Sequence, residues 1–119
     1  MHDIIFYEDR SGHSPVLERI AELESRNDKD SRIRLTKIRD YVKLLSIQGT
    51  YLPNNIAKFI EDGIWELRPI DDRIFFAAVV NDAYVLLHSY IKKSQKTPRR
   101  EIEQAKRELK DYKERTGIK

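Results

Sequence analysis

Cysteine is absent from this 119-residue chain, which excludes disulfide frameworks, thiolate nucleophiles and cysteine-based zinc sites together. Glycine and proline number four each, and neither Gly-x-x-x-x-Gly-Lys nor Gly-x-Gly-x-x-Gly occurs, so nucleotide-fuelled chemistry is not expected. No apolar run approaches the ~20 residues needed to span a bilayer. The opening Met1–Phe6 lacks the basic and longer apolar segments of a signal peptide, so a cytoplasmic location is expected. His2, His13 and His88 are far apart and have no local metal-binding spacing. No metal or other cofactor is expected.

What is present is charge. Hydrophobic residues make up 39% and charged residues 36%, which implies one lean core under a heavily charged surface, and a single domain over residues 1–119. The net charge of +3 hides an asymmetry. Residues 92–119 hold eleven Lys/Arg and five Asp/Glu, whereas the remainder holds twelve and fifteen. A basic end on a nearly neutral body suits either a polyanion-facing region or a solvated helix.

The apolar pattern predicts β-α-α-β-β-β-β-α, an α+β domain whose antiparallel sheet carries helices packed on one face. Residues 3–8 read as a short strand. Ser14-Pro15 is a cap followed by proline at the first helical position, and Val16, Ile20 and Leu23 form the apolar face of a helix to about residue 25. Asn27–Asp30 is a polar break, after which Leu35, Ile38, Val42 and Leu45 recur at helical spacing through 31–47. Beyond Gly49 the pattern changes to strands at Ile56–Ile60, Ile64–Arg68, Arg73–Val80 and Ala83–Ile91. Turns are expected at Glu61-Asp62-Gly63, Pro69–Asp72 and Asn81-Asp82. Thr97-Pro98 starts a last helix, whose buried stripe is Ile102, Ala105, Leu109 and Tyr112, ending near Gly117.

Hairpin pairing should bring the start of the Arg73 strand beside the end of the His88–Lys93 strand, with Glu66 and Arg68 on the strand before. The expected result is a cationic cleft edged by a carboxylate and a phenol. Such a group suits metal-free RNA cleavage: the ribose 2′-hydroxyl must lose a proton, the departing 5′-oxygen must gain one, and cations stabilise the phosphoryl charge. Glu66, His88 or Tyr90 are the proton-handling candidates. Each has a plainer reading: Glu66 and Arg68 as a surface ion pair, His88 as a core or edge histidine, Tyr90 as a packing residue. Trp65 is expected in the core, with an RNA-stacking platform as its alternative.

The runs Gly63–Pro69, Arg73–Phe76 and Val85–Pro98, together with Glu101-Ile102, Ala105 and Tyr112, resemble HigB-like toxins, the phage-derived branch of the RelE/ParE superfamily. The resemblance implies a microbial RNase-like fold and cleavage of mRNA on the ribosome. It implies catalytic roles for Arg73 and Lys93 as phosphate-contacting cations, with Arg68, Glu66 and Tyr90 beside them. Lys92, Lys96, Arg99, Arg100 and His88 are then the RNA-binding candidates. The C-terminal His or Tyr used for proton transfer by some relatives has no equivalent, and the basic last helix offers Tyr112 instead, so the general base is left open.

The resemblance also implies partners: a HigA-like helix-turn-helix antitoxin whose acidic segment would cover the cleft, mRNA and the ribosome, operator DNA only through the antitoxin, and no membrane. A ParE-like inhibitor of DNA gyrase without nuclease chemistry is the competing reading, and an inactive relative that only titrates its antitoxin is a third.

Overall fold

A computed structural model describes residues 1–117. Nine-residue and eight-residue strands dominate its centre. The elements run β1 (Ile4–Phe6), α1 (Pro15–Glu24), α2 (Lys29–Gln48), β2 (Ala57–Glu61), β3 (Ile64–Leu67), β4 (Asp72–Val79), β5 (Ala83–Ile91) and α3 (Arg99–Thr116), with one 3-10 turn at Gly49–Tyr51. This is the predicted α+β order. The five strands form one sheet in the order β1-β5-β4-β3-β2. Strands β2 to β5 are an antiparallel meander, and β1 lies parallel to β5, with Ile4 opposite Tyr84 and Phe6 opposite Leu86.

The turns follow from their residues. Asp62 and Gly63 both adopt positive φ in the β2–β3 turn, as do Asn81 and Asp82 in the β4–β5 hairpin. That geometry matches the right-handed twist of the strands and favours Asn, Asp and Gly. Asp28 caps α2 by accepting from the Ser31 backbone N–H, as the polar break at 27–30 suggested. The two proline starts differ from expectation in one respect. Ser14 and Thr97 stand before Pro15 and Pro98, yet neither hydroxyl caps its helix. Ser14 Oγ donates to the Tyr7 carbonyl, and Thr97 Oγ1 donates to Glu66. Proline at or beside N1 leaves fewer amides to cap, freeing both hydroxyls for tertiary bonds.

The helices do not share one face of the sheet, which corrects the expected packing. Val16 and Leu23 of α1 and Leu35, Ile38 and Leu45 of α2 pack with Leu67, Ile74, Phe76 and Leu86. Ile102, Ala105 and Leu109 of α3 pack with Ile64, Phe75, Ala77, Val85 and Leu87 on the opposite face. Successive side chains of a strand point to opposite faces, so β4 and β5 are buried on both sides. The physical reason is legible in Ile74–Val79, an unbroken apolar run of the kind that belongs to a strand covered twice. Trp65 is half-buried, stacked near Phe76 and edge-on to Phe59, and joins the α1/α2 core.

Candidate functional site

Strand register assembles the centre of the site. Glu66 lies opposite Phe75 across β3–β4, and Arg73 lies opposite Tyr90 across β4–β5. All four side chains therefore project toward the α3 face. Glu66 is fully buried, at 0% exposure. A carboxylate so placed must be paired and hydrogen-bonded. Its Oε2 accepts from the Tyr90 hydroxyl at 2.8 Å and from Thr97 Oγ1 at 3.2 Å. Its Oε1 faces Arg68 Nε at 3.3 Å and Arg73 Nε at 3.9 Å. Those two contacts are between charges, without an aligned hydrogen bond.

Arg73 does not open onto the surface. It is 6% exposed, and its Nη1 donates to the Ile70 carbonyl at 2.7 Å and the Asp72 carbonyl at 3.0 Å. Tyr90 is half-buried, and its ring stacks on Phe75. Burial, reinforced by the Glu66 carboxylate, pushes its hydroxyl up to about 12. The phenol is therefore protonated throughout the physiological range.

In front of this group opens a cleft of about 430 Å³ at the end of β5. Tyr90, Lys93, Lys96, Arg100, Glu101 and Arg19 stand on its wall. The segment between β5 and α3 is pinned at both ends: the Lys92 amide donates to the Asp71 carbonyl at 2.7 Å, and Thr97 is held by Glu66. The exposed Lys93 and Lys96 therefore face the cleft from a tethered loop. Arg19 reaches it from α1, oriented by Asp72, which accepts from its Nε at 2.8 Å. A roomier hollow of about 620 Å³ lies outside α3, between Asp62 and Gly117. It borders one helix and one turn, and its Lys106 is already paired with Glu61 and Asp62. The smaller cleft is where groups from several elements converge.

The predicted residues thus divide. Tyr90, Lys93, Lys96 and Arg100 are brought together at the cleft; Glu66, Arg68 and Arg73 form a layer behind Tyr90. Arg99 is turned away, its guanidinium gripping both oxygens of Glu61 at 2.8 Å each. Lys92 is held by its backbone and is not on the cleft wall. His88 as an RNA contact is corrected outright. It is 3% exposed, and both ring nitrogens are engaged, Nδ1 with Glu108 Oε1 at 2.6 Å and Nε2 with Glu101 Oε1 at 3.0 Å. Burial works against its charge, but the two carboxylates outweigh burial and raise its pKa.

Sequence reasoning missed Arg19, Thr97, Glu101 and Glu108. A signal for the last two was available. Glu101 and Glu108, seven apart, fall beside Ile102, Ala105 and Leu109 on the apolar stripe of α3, where a carboxylate needs a buried partner.

Among the described residues no helix is long and apolar enough to cross a membrane. A family model described as "Phage derived protein Gp49-like (DUF891)" matches residues 21–110. That span is well over half of the chain and holds every cleft residue named above except Arg19. No curated protein matches the chain.

Proposed function

Because the chain belongs to the phage-derived, Gp49-like family, a family of toxin-like proteins, we propose that it is the toxin of a toxin–antitoxin pair and acts as an endoribonuclease on translated mRNA. The observation that carries this reading is the cleft at the end of β5. Lys93, Lys96, Arg100 and Arg19 surround a phenol there, a set suited to a scissile phosphate and its neighbours. Single-stranded RNA supplies its own nucleophile in the 2′-hydroxyl, so the protein need only place charge and move protons.

The roles follow from the surroundings of each group. Lys93 and Lys96, on the tethered loop, contact phosphate oxygens, and Arg19 lines the same cleft. Tyr90 cannot serve as a base near neutral pH, since its hydroxyl holds its proton up to about 12. It can donate that proton to the departing 5′-oxygen. The Arg73 guanidinium behind the phenol works against that rise without overcoming it, which eases loss of the proton to O5′. Glu66 has Oε2 occupied by two donors and Oε1 facing two guanidiniums. It is a supporting group and not a base. The whole of residues 1–119 acts as one toxin domain in the cytoplasm. A HigA-like helix-turn-helix antitoxin is the partner: an acidic segment covering the cleft would shut it, and operator DNA would be reached only through that partner.

The test is mapping of mRNA 5′ ends after brief induction of the wild type and of the Lys93→Ala/Lys96→Ala variant, in which both exchanged side chains lie on the surface. New ends within translated codons, accompanied by growth arrest and lost in the variant, are expected. Arrest with intact transcripts and filamentous cells would overturn the nuclease reading in favour of gyrase inhibition.

A further inference from the structure

The proposed chemistry lacks a proton acceptor, and the cleft wall contains a carboxylate whose setting supplies one. Glu101 stands in the first turn of α3 with its side chain 18% exposed at the cleft. Oε1 is bonded to His88 Nε2 at 3.0 Å, and His88 Nδ1 is bonded to Glu108 Oε1 at 2.6 Å. Glu108 Oε2 in turn accepts from Gln104 Nε2 at 3.2 Å. The three ionisable groups therefore form a chain running from the cleft into the core between β5 and α3.

We propose that Glu101 is the proton-accepting residue of the cleft, and that His88, backed by Glu108, is the positioning residue that aims it. The inference rests on the nuclease reading above.

Three observations carry it. The first is elimination: Glu66 is enclosed and Tyr90 retains its proton. Of the other carboxylates on the wall, Asp72 is buried at 1% exposure, and the half-exposed Glu22 holds two guanidiniums, those of Arg19 and Arg26, on its Oε1. The second is direction. His88 occupies Oε1 only, and the nearest charged group to Oε2 is the exposed Arg100, with Nε at 3.8 Å, so Oε2 is the oxygen left for a substrate. The third is the expense of the arrangement. A buried histidine between two carboxylates is a poor way to stabilise a core, since apolar side chains of similar volume do at least as well. The groups facing His88 are Glu101 and Glu108 from α3, while from β4 the neighbour is the uncharged Phe75 ring. A histidine ring held in this way fixes the rotamer of Glu101 as an orienting group fixes a general base.

Glu101 Oε2 takes the 2′-hydroxyl proton, and the freed electron pair closes the O2′–P bond. The P–O5′ bond breaks with its pair on O5′, which takes the Tyr90 proton. The products are a 2′,3′-cyclic phosphate and a 5′-hydroxyl. Transfer of a proton from Glu101 to the Tyr90 phenolate through water restores both groups.

The experiment is single-turnover cleavage of a short single-stranded RNA and of mRNA-programmed ribosomes by the full chain, across pH, with RNA binding and thermal melting measured alongside. Glu101→Gln is expected to cut at least ~100-fold more slowly, bind RNA at least as tightly as the wild type does, and lose the acid limb of the rate profile. His88→Gln is expected to slow cutting and move that limb, with no further loss when combined with Glu101→Gln. Glu101→Asp, which keeps the carboxylate one methylene further back, is expected to retain the limb. Its absence there overturns the assignment even if the Gln variant fails to fold. Wild-type cutting by Glu101→Gln overturns the assignment while leaving the nuclease reading intact. A wild type that cuts neither RNA overturns both.

Discussion

Replacing Glu66 by glutamine removes one negative charge from a fully buried position while keeping the length of the side chain. In the wild type that carboxylate accepts from Tyr90 and Thr97 and lies between the guanidiniums of Arg68 and Arg73. An amide can still accept from the two hydroxyls through its oxygen. Its NH2 group must then face two cations, with no charge left to balance them. Breaking a buried ion pair by removing one partner costs about 3–5 kcal/mol. For 119 residues the unfolding entropy near the midpoint is about 250 cal/mol/K, so the loss corresponds to about 12–20 °C in Tm. Differential scanning calorimetry of Glu66→Gln should show a fall of that size. The absorbance titration of Tyr90 should also move down from about 12, because one of the two influences raising it is gone while burial stays. A Tm within about 4 °C of the wild type, a loss of about 1 kcal/mol, would refute the view that Glu66 holds this layer together.

Two further outcomes follow from groups outside that layer. Gly49 ends α2 with φ +60 and ψ −143, and a Cβ there would lie 2.7 Å from Tyr84 Oη and 2.9 Å from His2 Nε2. Gly49→Ala should therefore lose about 1–3 kcal/mol, and combining it with His2→Ala should not restore the loss, as thermal melts of both variants will check. The raised pKa of His88 stabilises the fold fully below the unfolded value of about 6.5, and this contribution disappears as pH rises through the folded value. The difference in Tm between the wild type and His88→Gln should shrink from pH 6.5 upward, and a difference that widened would contradict the His88–Glu108 pairing.

Pattern alone carried the meander, because Asn81-Asp82 and Asp62-Gly63 are residues that tolerate positive φ and the strands between them are short and β-branched or aromatic. It also carried the lateral placement of the site, since pairing across two hairpins necessarily puts Arg73 beside Tyr90. Depth was what it could not carry. In a sheet covered on one face, alternation separates inside from outside, and Glu66, Arg68 and Arg73 read as lining the outside. With α3 over the second face, that outside became interior, and the same residues turned into a supporting layer. The position of β1 is equally invisible locally, because its partner in β5 lies eighty residues away and three residues carry no register of their own. Arg19 escaped notice for the same reason: only the fold brings α1 to the end of β5.

The parallel pairing of β1 with β5 has a consequence for synthesis. Ile4 finds its neighbour only when Tyr84 has been made, and at ~5–20 residues per second that is a wait of about 4–16 s. Until then the meander lacks a strand that is buried on both sides, and the cleft has neither its phenol nor its loop lysines. A nascent chain stalled before β5 therefore contains no part of the Tyr90–Lys96 wall. The cleft is complete only once translation has passed Glu101, the last residue on its wall.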